Sequence, residues 1–434
     1  MGKSRGKRFS RTEWSWILYD WANSVYATNI MAAIFPILYS QVAGSGSLGD
    51  HLYGYAVSLA NLLVAALSPY LGAIADFRGR KKKLWMGFML AGVIFTAMMG
   101  LVGSWQMMLL GFVISRIGFS GSCMFYDSFL TDVTTPDRMD KVSTWGFAMG
   151  YIGGSTIPFI ISIGIMLLMK MSELSMRIAV LIVPVWWLVF SIPFIRNVRQ
   201  VSYVDVPPAE LGKAAWKNTV KTFRSILKNR AILFFLLAYF FYIDGVDTII
   251  SMATKYGNTL GLGQIGMILA LLVTQIVAVP CSIFFGKKAE SVGALKLITF
   301  SVMLYAFITV IGFAMGYLVD FHGTLGMTLE KAVGISQVLF WILATLVGTV
   351  QGGIQALSRS YFGKLIPPER SGEYYGFMDI FGKFACVIGP ALYELFYGIT
   401  GKACFGILSL ILLFVAGLLF LTIGKKHFLK AEHS

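Results

Sequence analysis

Gly72-Ala73-Ile74-Ala75-Asp76-Phe77-Arg78-Gly79-Arg80-Lys81-Lys82 is a glycine-bounded, basic stretch between two long apolar runs. About 214 residues later, Gly286-Lys287-Lys288-Ala289-Glu290-Ser291-Val292-Gly293 repeats its glycine–acid–glycine spacing, again between apolar runs. Two more echoes keep the same order. Pro136-Asp137-Arg138 and Pro368-Glu369-Arg370 are each followed by a Gly-Phe pair, Gly146-Phe147 and Gly376-Phe377. Asp20-x-x-Asn23-Ser24 matches Asp244-x-x-Asp247-Thr248. One multi-helix unit has been duplicated head to tail, and drifting offsets are what loop-length changes produce.

Composition sets the solvent of that unit. Of 434 residues, 57% are hydrophobic and only 13% charged, with mean hydropathy +0.73. Soluble domains carry about 25% charged residues, so most of this surface cannot face water. Runs of about 20 apolar residues cross a bilayer. Such runs fall near 14–40, 52–75, 84–103, 106–130, 143–169, 176–195, 231–255, 262–286, 296–318, 332–358, 373–399 and 404–423. The first is too long for a cleaved signal, whose apolar core has about 7–15 residues, and reads as an uncleaved span. The fold class is all-α integral membrane: twelve transmembrane helices in two pseudo-symmetric six-helix bundles. Residues 1–195 and 231–434 form the bundles, joined by 196–230.

Placing the first residues in the cytoplasm puts 29 of the 36 Lys and Arg on that side and five on the other. That bias makes both termini cytoplasmic, in the inner (plasma) membrane. It also accounts for the +15 net charge, so a nucleic-acid partner is excluded. In the central segment, Lys213, Lys217, Lys221, Arg224 and Lys228 make one helical stripe beside Trp216, Val220, Phe223 and Leu227. The pattern suits a helix lying on anionic lipid headgroups; a solvated basic linker is the alternative.

The four cysteines lie in apolar stretches without paired spacing, and no histidine joins a carboxylate cluster. No metal, no cofactor and no enzyme chemistry is expected. A small-molecule substrate, a monomer and a possible coupling proton are.

Intramembrane charge is costly and needs a partner or a task. Arg116 and Lys383 fall near mid-span, and Asp127 shares the Arg116 face eleven residues on. Asp244 and Asp247, Asp20 and Asn23, and Gln351 and Gln355 make polar stripes on spans 7, 1 and 10. Such stripes turn from lipid toward a shared cavity. Arg116 and Lys383 can accept a substrate carboxylate, and Asp244 or Asp247 an ammonium or a proton. Both basic residues can equally be structural, Lys383 with Asp379 and Arg116 with an acid. Asp20, shallower, reads as a coupling or gating group. Two like-oriented halves place the binding site at mid-depth between them.

The loop Gly72-x-x-x-Asp76-x-x-Gly79-Arg80-Lys81-Lys82 resembles the cytoplasmic loop motif of the major facilitator superfamily. The resemblance implies a conformational latch, with Gly72 and Gly79 permitting a tight turn, Asp76 facing a helix N-terminus and Arg80 a carboxylate; a generic charged turn that only fixes topology is the alternative. Glu290, in the second copy, and Asp127 complete the gating set. Further motifs recur together: Tyr19-Asp20-Trp21-Ala22-Asn23-Ser24, Gly150-Tyr151-Ile152-Gly153-Gly154, Tyr242-x-Asp244-Gly245, Gly352 through Ser360, and Gly382-Lys383-Phe384-Ala385 leading to Gly389-Pro390. This set resembles the autophagy-related vacuolar amino-acid effluxer-like branch. It implies solute export with amino acids as substrate class; Asp127 departs from an amide in that pattern. Expected, then, is an alternating-access transporter of a small polar solute. The alternatives are a transporter or flippase of lipid-like or organic-anion solutes, and a non-transporting receptor or scaffold.

Overall fold

The computed structural model describes residues 8–44, 46–205 and 211–432. Lys3, Arg5 and Lys7 of the basic N-terminal tail, residues 206–210 of the linker and the Cys386 side chain lie outside the described residues.

Without water in the hydrocarbon layer, each backbone N–H and C=O must be satisfied within its own segment, and a helix does that. Among the described residues twelve helices are long and apolar enough to cross a membrane. Spans 1–6 are Arg11–Ala43, His51–Ala75, Lys81–Leu101, Trp105–Ser128, Met139–Leu168 and Glu173–Asn197. Spans 7–12 are Arg230–Thr259, Ile265–Val292, Ala294–Asp320, Leu329–Leu365, Pro368–Thr400 and Ala403–Ala431. Most outrun their apolar windows by several residues, because a helix continues into its polar ends where long basic side chains reach out of the apolar layer. Prolines sit inside spans 1, 2, 5, 6, 8 and 11 (Pro36, Pro69, Pro158, Pro184, Pro193, Pro280, Pro390), as neighbouring helices can resatisfy the rung each removes. Between spans 6 and 7 lies the linker helix, Leu211–Lys228.

The chain divides into two compact units, Met1–Thr222 with Ile366–Phe377, and Phe223–Leu365 with Met378–Ser434. Span 11 through Phe377 thus belongs to the first unit and the rest of that helix to the second.

The first unit is held by large rings. Trp16 stacks on Tyr126 at 4.3 Å and Trp85 on Phe194 at 4.1 Å, all fully or nearly fully buried. Such rings dominate core energetics. Glycine lets spans 3 and 4 close: a Cβ on Gly118 would stand 2.4 Å from the Gly92 backbone nitrogen. Ser10 caps span 1 through a reciprocal pair with Glu13, whose carboxylate also binds Arg138 and Thr134 of the loop after span 4. The second unit packs Tyr256, Met315, Phe340, Tyr393 and Ile407 as one cluster. Each unit ties its first span to its fourth by a hydroxyl pair: Tyr26 with Ser115 at 2.8 Å, Tyr242 with Ser358 at 2.6 Å.

Candidate functional site

The repeated loop is a built object in its first copy. Asp76, 2% exposed, follows span 2 directly and accepts the N–H groups of Gly372 at 2.8 Å and Glu373 at 2.9 Å. These amides belong to the first turn of the α-helix that begins at Ser371 within span 11, where no intrahelical acceptor exists and the helix dipole favours an anion. Burial pushes the Asp76 carboxyl up to about 7, against the opposing pull of the Lys81 ammonium and the two amides. Glycine permits the approach. A Cβ on Gly72 would stand 2.2 Å from the Gly372 carbonyl oxygen, and one on Gly376 2.5 Å from that of Ser68. Gly72 was expected to permit a turn; it instead permits two backbones to touch. The turn is made by Gly79, at φ +69° in open space.

Arg80 does not take the carboxylate: it is exposed, and Lys81 does so instead. Lys81, fully buried, reaches Asp132 Oδ2 at 2.8 Å and Ser371 Oγ at 2.8 Å. Asp132 Oδ1 in turn accepts the N–H groups of Val201 and Ser202. The reason is helical phase, since the Gly79 turn ends at Arg80 and the first residue of span 3, Lys81, faces inward. Lys82 caps the C-terminus of span 6 at the Ile195 and Val198 carbonyls. Asp127 is half-buried near the end of span 4, five residues before the carboxylate that does meet Lys81. Glu290 is exposed at the end of span 8, so the second copy of the loop is not built like the first.

Inside the first unit, Asp20 accepts the Tyr126 hydroxyl at 2.8 Å, with that ring held by Trp16. Spans 1 and 5 each widen to π-helix, over Tyr26–Ala33 and Gly150–Thr156. Such local widening often marks functional sites. Along span 1 the Asn23 amide nitrogen and the Asn29 amide oxygen are buried without a hydrogen-bond partner among the described residues. Arg116 is half-buried; its Nε donates to Asn61 Oδ1 at 3.1 Å and its guanidinium lies 6.0 Å from the Phe112 ring centre. The acid expected beside it as a structural partner is absent: among the described residues no carboxylate stands within ion-pair distance of Arg116. A neutral amide uses one of its five donors.

In the second unit, Asp244 is fully buried, and both its oxygens accept the Gly389 N–H, at 2.9 and 3.0 Å. Thr248 donates to it as well, at 3.3 Å. Pro390 follows, so the acid fastens span 7 to span 11 where the proline removes a rung. Asp247 is half-buried one turn on. Lys383 pairs with Asp379 one turn before it on span 11. Gln351, 8% exposed, lines an apolar cavity of about 110 Å³ with Gln275, Tyr256 and Thr309; Gln355, half-buried, is not in its wall.

Sequence reasoning did not single out Lys81, Asp132, Asn61, Tyr126 or Gly389 as site residues. Ser10-x-x-Glu13, also passed over, is a readable capping signature.

Residues 50–139 and 132–427 match the family described as vacuole effluxer Atg22 like. The chain is 42% identical over 427 residues, 96% of its length and 95% of the other's, to the uncharacterized MFS-type transporter YxiO of Bacillus subtilis (strain 168). It is 28% identical over 300 residues to autophagy-related protein 22-2 of Aspergillus clavatus, covering 65% of this chain but 46% of that one. The chain thus spans about half the length of the fungal relatives it matches. The fold resembles that of the proton:xylose symporter XylE (TM-score 0.67, 12% identity, 95% and 94% of the two chains). It also resembles the human organic anion transporter MFSD10 (TM-score 0.65, 15% identity, 95% and 99%).

Proposed function

Because the chain belongs to the Atg22-like vacuole effluxer family and has the major facilitator fold, we propose that this membrane transporter moves a small carboxylate-bearing solute, an amino acid in the first instance, by alternating access. The observation that carries the reading is Arg116. A guanidinium inside a span, bonded to a neutral amide and with donors to spare, is set to take a bidentate carboxylate. Lys383 is already engaged by Asp379, and Asp244 by the span 11 backbone, so neither is the first ligand. Asp20 pairs with Tyr126, ten residues along span 4 from Arg116, or about 15 Å at 1.5 Å per residue. That is too far to share one amino acid's main-chain groups, and Asp20 takes the proton-coupling role.

Asp76, with its glycine crossing and the Lys81–Asp132–Ser371 set, acts as a latch that must release in each cycle. The positive-inside bias puts this latch and both termini in the cytoplasm, with the protein in the plasma membrane.

Counterflow in proteoliposomes tests the function. Vesicles are loaded with unlabelled amino acids and each labelled one is offered outside, so no coupling ion is needed. A subset should accumulate, and Arg116→Ala should abolish it. Failure of every amino acid, with folded protein, overturns the substrate class and turns the search to other organic anions.

A further inference from the structure

Building on the latch reading, we propose that the linker helix senses anionic lipid and that lipid binding holds the latch shut. Leu211–Lys228 has three faces. At about 100° per residue, buried Ala215, Thr222 and Ile226 share one side. Trp216, Val220, Phe223 and Leu227 lie about 100° round from it and are all exposed, Trp216 by 65%. Lys213, Lys217, Lys221, Arg224 and Lys228 centre about 100° further, and all five are exposed.

The inner face rests on the latch. Ala215 packs against Ala73 and Phe77. The Thr222 hydroxyl donates to Glu373 Oε2 at 2.8 Å and accepts from Arg370 at 3.3 Å. Glu373 supplies one of the two amides that Asp76 holds. Preceding chain joins in: Val204 N–H donates to the Asp76 carbonyl at 2.8 Å, and Gln200 bridges Ala75 and Lys81.

The outer faces name the occupant. An aromatic-rich apolar stripe flanked by five cations matches a bilayer surface carrying anionic phosphates. The helix is tethered there, two residues before span 7 begins and after span 6 has ended. Since the apolar face lies beside the latch face and the basic face opposite it, one placement satisfies all three. Lipid binding therefore reinforces the contact at Thr222 rather than pulling it apart.

Hydrogen exchange of the Gly372 and Glu373 amides tests this, in nanodiscs of phosphatidylglycerol against phosphatidylcholine. Phosphatidylglycerol should slow their exchange on the order of tenfold, and protect the linker helix too. Replacing all five linker cations by Gln should erase both differences. Thr222→Val should keep the helix protection and lose the effect at Gly372 and Glu373. Equal exchange in the two lipids, while Asp76→Ala still deprotects these amides, overturns the lipid coupling and leaves the latch standing. A lipid effect that survives loss of the cations overturns anionic recognition. Amides indifferent to Asp76→Ala in either lipid overturn the latch itself.

Discussion

Gly72→Ala is the sharpest probe of the latch. The added Cβ would lie 2.2 Å from the Gly372 carbonyl oxygen, a backbone atom without freedom to swing aside. Carbon–oxygen contact normally needs more than 3 Å, so spans 2 and 11 must part by about 1 Å at this crossing. The Asp76 hydrogen bonds, 2.8 and 2.9 Å long, would stretch to about 3.8 Å, beyond useful length. Each carboxylate bond contributes about 1.5–3 kcal/mol, so the closed latch loses roughly 3–6 kcal/mol. Helix-start amides have no other acceptor, and their protection reports the latch directly. Exchange at Gly372 and Glu373 should therefore accelerate by about 10² to 10⁴, at 1.4 kcal/mol per decade. Gly87→Ala, on span 3 with open space around it, should leave these amides unchanged. Unchanged protection in Gly72→Ala would refute the close-crossing argument.

Three further outcomes follow from the same contacts. Lys81→Met leaves Asp132, whose side chain is fully buried, without its cation and should cost about 3–5 kcal/mol, read as a lowered unfolding midpoint in detergent. Gly389→Ala would drive a methyl to within 2.0 Å of Thr248 Oγ1 and 2.7 Å of Asp244 Oδ1, and should destabilise the second unit by more than about 2 kcal/mol, whereas Gly398→Ala, in open space, should not. The latched Asp76 binds a proton more tightly than a released one, about 7 against the ordinary 3.8. Acid therefore stabilises the latch, and that gain is lost as pH rises to 7. Between pH 8 and 6, protection at Gly372 and Glu373, corrected for intrinsic exchange, should grow about tenfold; a flat or opposite trend would contradict the assignment of that proton.

The twelve spans were legible because apolar length is a property of composition, and lipid leaves the backbone little choice but helix. Asp76 was legible because an acid one residue past a span has few places to go. What escaped the sequence is phase and partnership. Four consecutive basic residues, Arg80 to Lys83, do not say which one turns inward; the Gly79 turn decides for Lys81. Asn61, a lone amide in an apolar run, acquires meaning only when Arg116 lies across from it. The π-helical stretches have no periodicity to read, and Asp244 becomes a fastening group only because Gly389 presents its N–H beside a proline.

The claim that Arg116 receives the solute's carboxylate is tested most directly by competition. In equilibrium binding of a labelled transported amino acid to the purified protein, the unlabelled acid and its carboxamide are compared as competitors. Two charge-assisted bonds to the guanidinium are worth roughly 3 kcal/mol, so the unmodified protein should prefer the acid about 100-fold. Arg116→Gln should bind both weakly and about equally. An undiminished preference for the acid in Arg116→Gln would contradict the account and make Arg116 a structural residue of the first unit.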